Sequence, residues 1–162
     1  MINKLKIVMA SDHVGYSMKK ELETHIKILG HDVEDIGPYG DARAEYPIYG
    51  RLAADKLAKG DFDRAILICG TGFGISLAAN SVAGVRCVNC SDVYTAYMSR
   101  LHNDANAIAL GARVIASELA KMLVETWLST EFEGGRHAER VDMLVEMDNF
   151  PQYGAYTASM KS

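Results

Sequence analysis

Cys69 opens the run Cys69-Gly70-Thr71-Gly72-Phe73-Gly74, directly after the apolar stretch Ala65 to Ile68 and before a helical pattern from Ile75 to Asn80. A strand, a glycine loop and a helix N-terminus form a ready anion site, because backbone N–H groups point outward and the helix dipole favours negative charge. The same setting favours the thiolate of a nearby cysteine, and Gly70, Gly72 and Gly74 let the backbone approach a ligand closely. The chemistry such residues can do is proton abstraction or nucleophilic attack by Cys69, with the loop stabilising an oxyanion. The plainer alternative is a small buried hydrophobe at a strand end, followed by a tight turn that binds nothing. The loop reads Gly-x-Gly-x-Gly and follows the third strand. It is therefore neither the dinucleotide fingerprint nor a P-loop, and nucleotide binding is disfavoured.

Two further clusters carry groups that titrate near neutrality. Asp12-His13 lies at a strand end and His102-Asn103-Asp104 at a helix end. Each can be read as a helix cap alone. Beside a thiol, they also supply what proton transfer at a sugar carbonyl needs, an imidazole and a carboxylate to orient it. Arg136 and Arg140, four apart, share one helix face. That face is either solvated and paired with Glu133 or Glu139, or a guanidinium clamp on a phosphate, with Arg113 as a third donor. Cys87-x-x-Cys90 is a lone pair with no second half. Residues three apart in a strand point to opposite faces, so core packing is favoured over metal or redox chemistry.

Short apolar runs at Leu5–Ala10, Ala65–Ile68, Val85–Val88 and Ala107–Leu110, with the alternating stretch His31–Ile36, read as five strands. Helical patterns separate them. Met18, Leu22, Ile26 and Leu29 fall on one face, with Gly30 as the stop. Pro47 starts a second helix carrying Leu52, Ala53, Lys56 and Leu57. Asp92 caps a helix with Tyr94, Met98 and Leu101, and Ser117 caps one with Leu119, Met122, Leu123 and Trp127. A last helix runs from about Arg136 to Met147 after Gly134-Gly135. Strands alternating with helices predict a parallel sheet covered on both sides, in a Rossmann-like α/β/α sandwich with flavodoxin-like strand order. The site then sits at the carboxyl ends of the strands, where Asp12-His13, Cys69 to Gly74, Ser91-Asp92 and Arg113 all fall. Residues 1–147 read as one domain. Residues 148–162 read as a tail, disordered or laid on a partner subunit.

A net charge of −4 argues against a nucleic-acid or anionic-membrane surface, and no apolar run reaches the length of a membrane span. The apolar run after Lys4 and Lys6 ends at Ser11-Asp12-His13, too early for a secretory signal. Three cysteines in a chain that is 49% hydrophobic read as reduced thiols of a cytoplasmic protein.

The chain resembles the type B ribose-5-phosphate isomerases, within the wider ribose/galactose isomerase family. The residues that carry the resemblance are Ser11-Asp12-His13-Val14-Gly15 with Lys19, then Tyr46-Pro47, then Ile68 to Ser76 with Ala79-Asn80. Gly84-Val85-Arg86, Ser99 to Asn106, Gly111 to Val114, and Glu133-Gly134-Gly135-Arg136-His137 with Arg140 follow in family order. The resemblance implies aldose–ketose isomerisation of a phosphorylated sugar without metal or nucleotide. It also implies a homodimer, or a dimer of dimers, with active sites at the subunit interface. Cys69 would move the proton between C2 and C1, the N–H groups of Gly70, Gly72 and Gly74 would hold the enediolate oxygen, and Thr71 would pass protons between O1 and O2. Asp12 and His102 would open the furanose ring, with Asn103 positioning. His13, Arg113, Arg136 and Arg140 would bind phosphate, and Tyr46 would line the sugar pocket. Some family members carry a carboxylate base just after the glycine loop; here that position is Ile75, which leaves Cys69. Glu45 stands where the family often has Asp, and the tail is longer than usual. The Gly-Gly-Arg-His stretch looks more like the ribose branch than the galactose-6-phosphate isomerases, and allose 6-phosphate or another hexose phosphate is the alternative substrate. A reading from another class is a non-catalytic sugar-phosphate-binding subunit of a mixed assembly, against which Cys69, Asp12 and His102 argue.

Overall fold

The computed structural model describes residues 3–149. Strands β1 (Lys6–Ser11), β2 (Asp32–Asp35), β3 (Arg64–Cys69), β4 (Cys87–Asn89) and β5 (Ala107–Gly111) alternate with helices α1 (Tyr16–Ile28), α2 (Tyr46–Ala58), α3 (Phe73–Asn80) and α4 (Val93–Asn103); α5 (Ser117–Ser129) and α6 (Arg136–Asp148) follow. Every strand pairing is parallel. The two-residue period of the central strands divides the core. Ile7, Met9, Ile66, Ile68, Ile108 and Leu110 face α1 and α5, where they meet Leu22, Ile26, Leu123 and Trp127. Val8, Ala10, Ala65, Leu67, Ala107 and Ala109 face α2 and α3, where they meet Ala53, Leu57, Ile75 and Ala79. A parallel sheet buried on both sides reads as continuous apolar runs, as these strands do. The second face is mostly alanine and admits its helices closely: a side chain at Gly50 of α2 would come within 2.9 Å of the Ile75 carbonyl oxygen.

The expected flavodoxin-like order does not form. The sheet runs β2-β1-β3-β5-β4, so β5 lies beside β3 and β4 takes the edge. The reason is burial: all five residues of β5 are buried, whereas only Cys87 of the three-residue β4 is. The apolar strand takes the inner place. Its register sets Cys69 opposite Gly111, which brings the chain after β5 against the glycine loop.

Smaller corrections have the same origin in packing. β4 begins at Cys87 and not at Val85, and Ser117 is the first residue of α5 and not its cap. The buried face of α5 is Ala120, Leu123, Val124, Trp127 and Leu128, with Met122 exposed. Leu29 and Leu52 are exposed as well. In α4 the buried residues are Ala96, Ser99 and Arg100, while Tyr94 points to solvent. Arg100 tolerates burial because its guanidinium donates to Asp104 Oδ1 and to the Ala105 carbonyl, each at 2.7 Å. Cys87 and Cys90 are free and pack on opposite sides of the sheet, as their spacing predicts. Burial pushes the Cys87 thiol up to about 12 and raises that of Cys90. Helix α6 reaches Asp148, and the rest of the expected tail beyond Asn149 lies outside the described residues. Among the described residues no helix is long and apolar enough to cross a membrane.

Candidate active site

At the carboxyl ends of the strands, backbone bonds hold the chemistry-bearing residues together. The Asp12 N–H donates to the Ile68 carbonyl at 3.1 Å, which ties the end of β1 to the end of β3. Asp12 Oδ1 accepts the Gly15 N–H at 2.9 Å, so the buried carboxylate sits at the start of α1 beside the Cys69 loop. Gly15 has to be glycine, because a Cβ there would stand 2.6 Å from the Ile68 oxygen. The Cys69 sulfur accepts the Gly72 N–H at 3.1 Å. Gly72 has φ +81°, and a Cβ there would meet Asn89 Oδ1 at 2.5 Å. Asn89 in turn donates to the Thr71 carbonyl at 3.2 Å, and Thr71 Oγ1 accepts the Phe73 N–H at 3.4 Å. The N–H groups of Gly70 and Thr71 donate to no backbone carbonyl among the described residues.

Other elements close around this loop. The N–H groups of Ala112 and Arg113 donate to the carbonyls of Cys69 and Gly70, each at 2.9 Å. The Arg113 side chain then lies over Gly70, with Nη1 3.6 Å from where a Cβ would stand. The Tyr46 ring covers Gly74 and would be struck at 2.6 Å by any side chain there. His13 Nδ1 faces Ala44, 3.2 Å from its carbonyl oxygen and 3.3 Å from its nitrogen, and the tautomer decides which bond forms. The loop that carries Ala44 and Tyr46 is anchored at its start by buried Lys19, which donates to Asp35 at 2.5 Å and to the Pro38 carbonyl at 2.7 Å. Burial lowers the Lys19 pKa against the pull of Asp35.

A second cluster lies at the other end of the sheet. Helix α4 starts at Asp92, whose Oδ1 accepts the Thr95 N–H at 2.8 Å, and carries the chain back to the amino end of β5. Eleven residues of helix span about 16 Å. His102 and Asn103 are therefore remote from the Cys69 of the same chain. The Glu133 N–H donates to the Leu101 carbonyl at 3.0 Å and docks the start of α6 against the end of α4. The rings of His102 and His137 stack with centroids 3.9 Å apart and planes 9° from parallel. Glu133 Oε2 stands 3.6 Å from His102 Nε2 and 3.4 Å from His137 Nε2. Arg136 Nε donates to His137 Nε2 at 3.5 Å. Burial, with His102 and Arg136 nearby, lowers the His137 pKa. Arg136 and Arg140 are exposed at the start of α6, and neither is paired with a carboxylate among the described residues. A helix N-terminus with two such guanidiniums suits a phosphate.

His102, Glu133 and His137 also bring their ligand atoms within 4.8 Å of one another, the donor set of a metal site. Parallel rings aim their lone pairs side by side instead of at one point, and an arginine N–H faces His137. The arrangement suits a proton better than a cation.

The structure thus gathers Asp12, His13, Tyr46, Cys69, Gly70, Thr71, Gly72, Gly74 and Arg113 at one end. It gathers His102, Asn103, Arg136 and Arg140 at the other. Sequence reasoning passed over Asn89, whose position at the carboxyl end of β4 was a usable signal. It also offered Glu133 only as a partner of the arginines and gave His137 no role in the site, although their i, i+4 spacing beside two arginines was another signal.

Residues 7–144 match the family model described as Ribose/Galactose Isomerase. The chain is 47% identical over 143 residues to ribose-5-phosphate isomerase B of Escherichia coli, covering 88% of this chain and 96% of that protein. The solved structure of Clostridium thermocellum ribose-5-phosphate isomerase B superposes with a TM-score of 0.87 at 48% identity, over 89% of this chain and 97% of that one. That of the Mycoplasma genitalium ribose-5-phosphate isomerase B with bound ribulose-5-phosphate gives 0.85 at 39% identity, over 90% and 97%.

Proposed function

The chain belongs to the ribose/galactose isomerase family, and from that premise we propose that it interconverts D-ribose 5-phosphate and D-ribulose 5-phosphate at a site built from two copies of itself. The observation that carries the reading is the Cys69 sulfur, an acceptor at the foot of a glycine loop, with a buried carboxylate beside it. Proton abstraction next to a carbonyl needs a base and preorganised donors where the oxyanion develops.

The reaction runs in two stages. Asp12 takes the proton from O1 of the furanose while His102 protonates the ring oxygen, and the ring bond breaks to leave the open aldehyde. Cys69 then removes the C2 proton. The electron pair moves into the C1–C2 bond, and the negative charge on O1 meets backbone N–H groups of the loop from Gly70 to Gly74. Thr71 carries a proton from O2 to O1, and Cys69 returns its proton to C1, giving the ketose. His13, Arg113, Arg136 and Arg140 hold the phosphate, Asn103 positions the sugar and Tyr46 lines its pocket.

The opposite ends of one chain cannot meet in one site, so the amino-end cluster of one copy completes the carboxyl-end cluster of the other. Exposed apolar residues support a homodimeric contact on this side: Leu77 is 72% and Tyr94 70% exposed, with Phe73 and Tyr97 near them in α3 and α4. The experiment is turnover of ribose 5-phosphate, allose 6-phosphate and galactose 6-phosphate by the purified chain alone, with and without chelator. The pentose is expected to win and the chelator to change nothing. A preferred hexose would keep the chemistry and move the substrate. No turnover of any would support a non-catalytic subunit.

A further inference from the structure

His137 is buried, carries no role in the reaction as set out above, and touches the imidazole proposed to protonate the ring oxygen. We propose that His137 is a positioning residue for ring opening: it backs the His102 ring face to face and, with its Nε2 facing Arg136, leaves the Glu133 carboxylate to the N–H of His102. This rests on the reading of His102 as the acid that protonates the ring oxygen.

The contacts assign the protons. Arg136 Nε can only donate, and it points at His137 Nε2 from 3.5 Å. That nitrogen is therefore the acceptor, and the His137 proton sits on Nδ1. Glu133 Oε2 lies near both Nε2 atoms, at 3.4 and 3.6 Å, and the one that can donate to it is that of His102. Two imidazolium rings stacked at 3.9 Å would repel, so at most one of the two is positively charged. Burial, with His102, Arg136 and Arg140 around it, lowers the His137 pKa and keeps that charge off it. The stack also fixes the plane of the His102 ring, and with Nε2 turned to Glu133 the nitrogen left to protonate the sugar ring oxygen across the subunit boundary is Nδ1. The anchor is firm because Glu133 is tied to α4 through the Leu101 carbonyl.

The two stages of the reaction can be read separately. Ribulose 5-phosphate has no furanose form, since its only hydroxyl able to close that ring is phosphorylated. Exchange of its C1 hydrogen with solvent deuterium therefore needs Cys69 and the glycine loop but no ring opening. In the intact dimer, His137→Ala is expected to lower isomerisation of ribose 5-phosphate about tenfold while exchange stays within about twofold of the parent. His137→Phe, which keeps a flat ring against His102, is expected to restore most of the isomerisation. Parallel loss of both rates in His137→Ala, with no rescue by His137→Phe, would overturn the proposal and make His137 part of the phosphate site or the core. Unchanged isomerisation in His137→Ala would overturn it as well. His102→Asn in the same pair of assays separates the underlying reading. If it spares isomerisation, the acid is not His102; if it lowers isomerisation alone while His137→Ala has no effect, only the positioning role fails.

Discussion

The two ends of the sheet hold their functional groups by different means. At the carboxyl end, main-chain bonds do the holding: Asp12 to Ile68, Ala112 to Cys69, Arg113 to Gly70 and Gly72 to the sulfur. Side chains there have little freedom because β1, β3 and β5 fix them from below. At the amino end, the corner between α4 and α6 is held by one main-chain bond and a set of long side-chain contacts at 3.4 to 3.6 Å. The first region suits the bond-making step, where a displacement of an ångström is costly. The second suits an exposed set of cations that captures a phosphate. On the proposed reading, the scaffold pre-organises the base and its oxyanion donors within one chain, and a neighbour adds Arg136 and Arg140 to the phosphate site and His102 to ring opening.

Substitutions should separate these two roles. The largest effect is expected at the rigid end: Cys69→Ser removes the base and should lower kcat by about a thousandfold, with KM little changed, in line with the worth of a general base. Steady-state kinetics with ribose 5-phosphate measure it, and a kcat within tenfold of the parent would take the base role from Cys69. At the other end the pattern should invert. Arg136→Ala loses a charge-assisted bond to phosphate and should raise KM about ten- to a hundredfold, with a smaller change in kcat. An unchanged KM would remove Arg136 from the phosphate site.

The smallest effect concerns stability, away from both clusters. His31 is buried, its Nδ1 accepts the Leu5 N–H at 3.2 Å, and burial lowers its pKa below 6.5. A protonated Nδ1 cannot accept that bond. The unfolded chain takes up a proton near pH 6.5 and the folded chain does so only at lower pH. Stability from this group is thus complete above that value and is lost as pH falls below it. Melting temperatures at pH 7.5 and 5.5 should differ less in His31→Asn than in the parent; an equal difference would show that another group governs the slope.

Much of this was legible in the sequence. The apolar runs located β1, β3 and β5 to within about two residues, because strands buried on both faces cannot be polar, whereas the polar, half-exposed β2 showed only through its alternation. Cys69 and its glycines stood out by type and spacing. The strand order was not legible, since Val85–Val88 and Ala107–Leu110 look alike as short apolar runs. Their ranking follows from burial, which depends on what α3, α4 and α5 cover. The faces of α4 and α5 were misjudged for a related reason: Tyr94 and Met122 stay exposed among the described residues, whereas Arg100 is buried through Asp104. The division of the site could have been inferred sooner. A helix that follows β4 must return the chain to the start of β5, so His102, ten residues beyond Asp92, belongs to the far end of the sheet.

The most direct test of a site shared between copies is complementation. Cys69→Ala and His102→Asn are each expected to be nearly inactive alone. In a dimer with one chain of each kind, one site receives both substitutions and the other receives neither. After subunit exchange of an equal mixture, half of the dimers are mixed, and activity should recover to about a quarter of the parent. No recovery, with mixed dimers shown to be present by mass, would contradict the account and put Cys69 and His102 in a site within one chain.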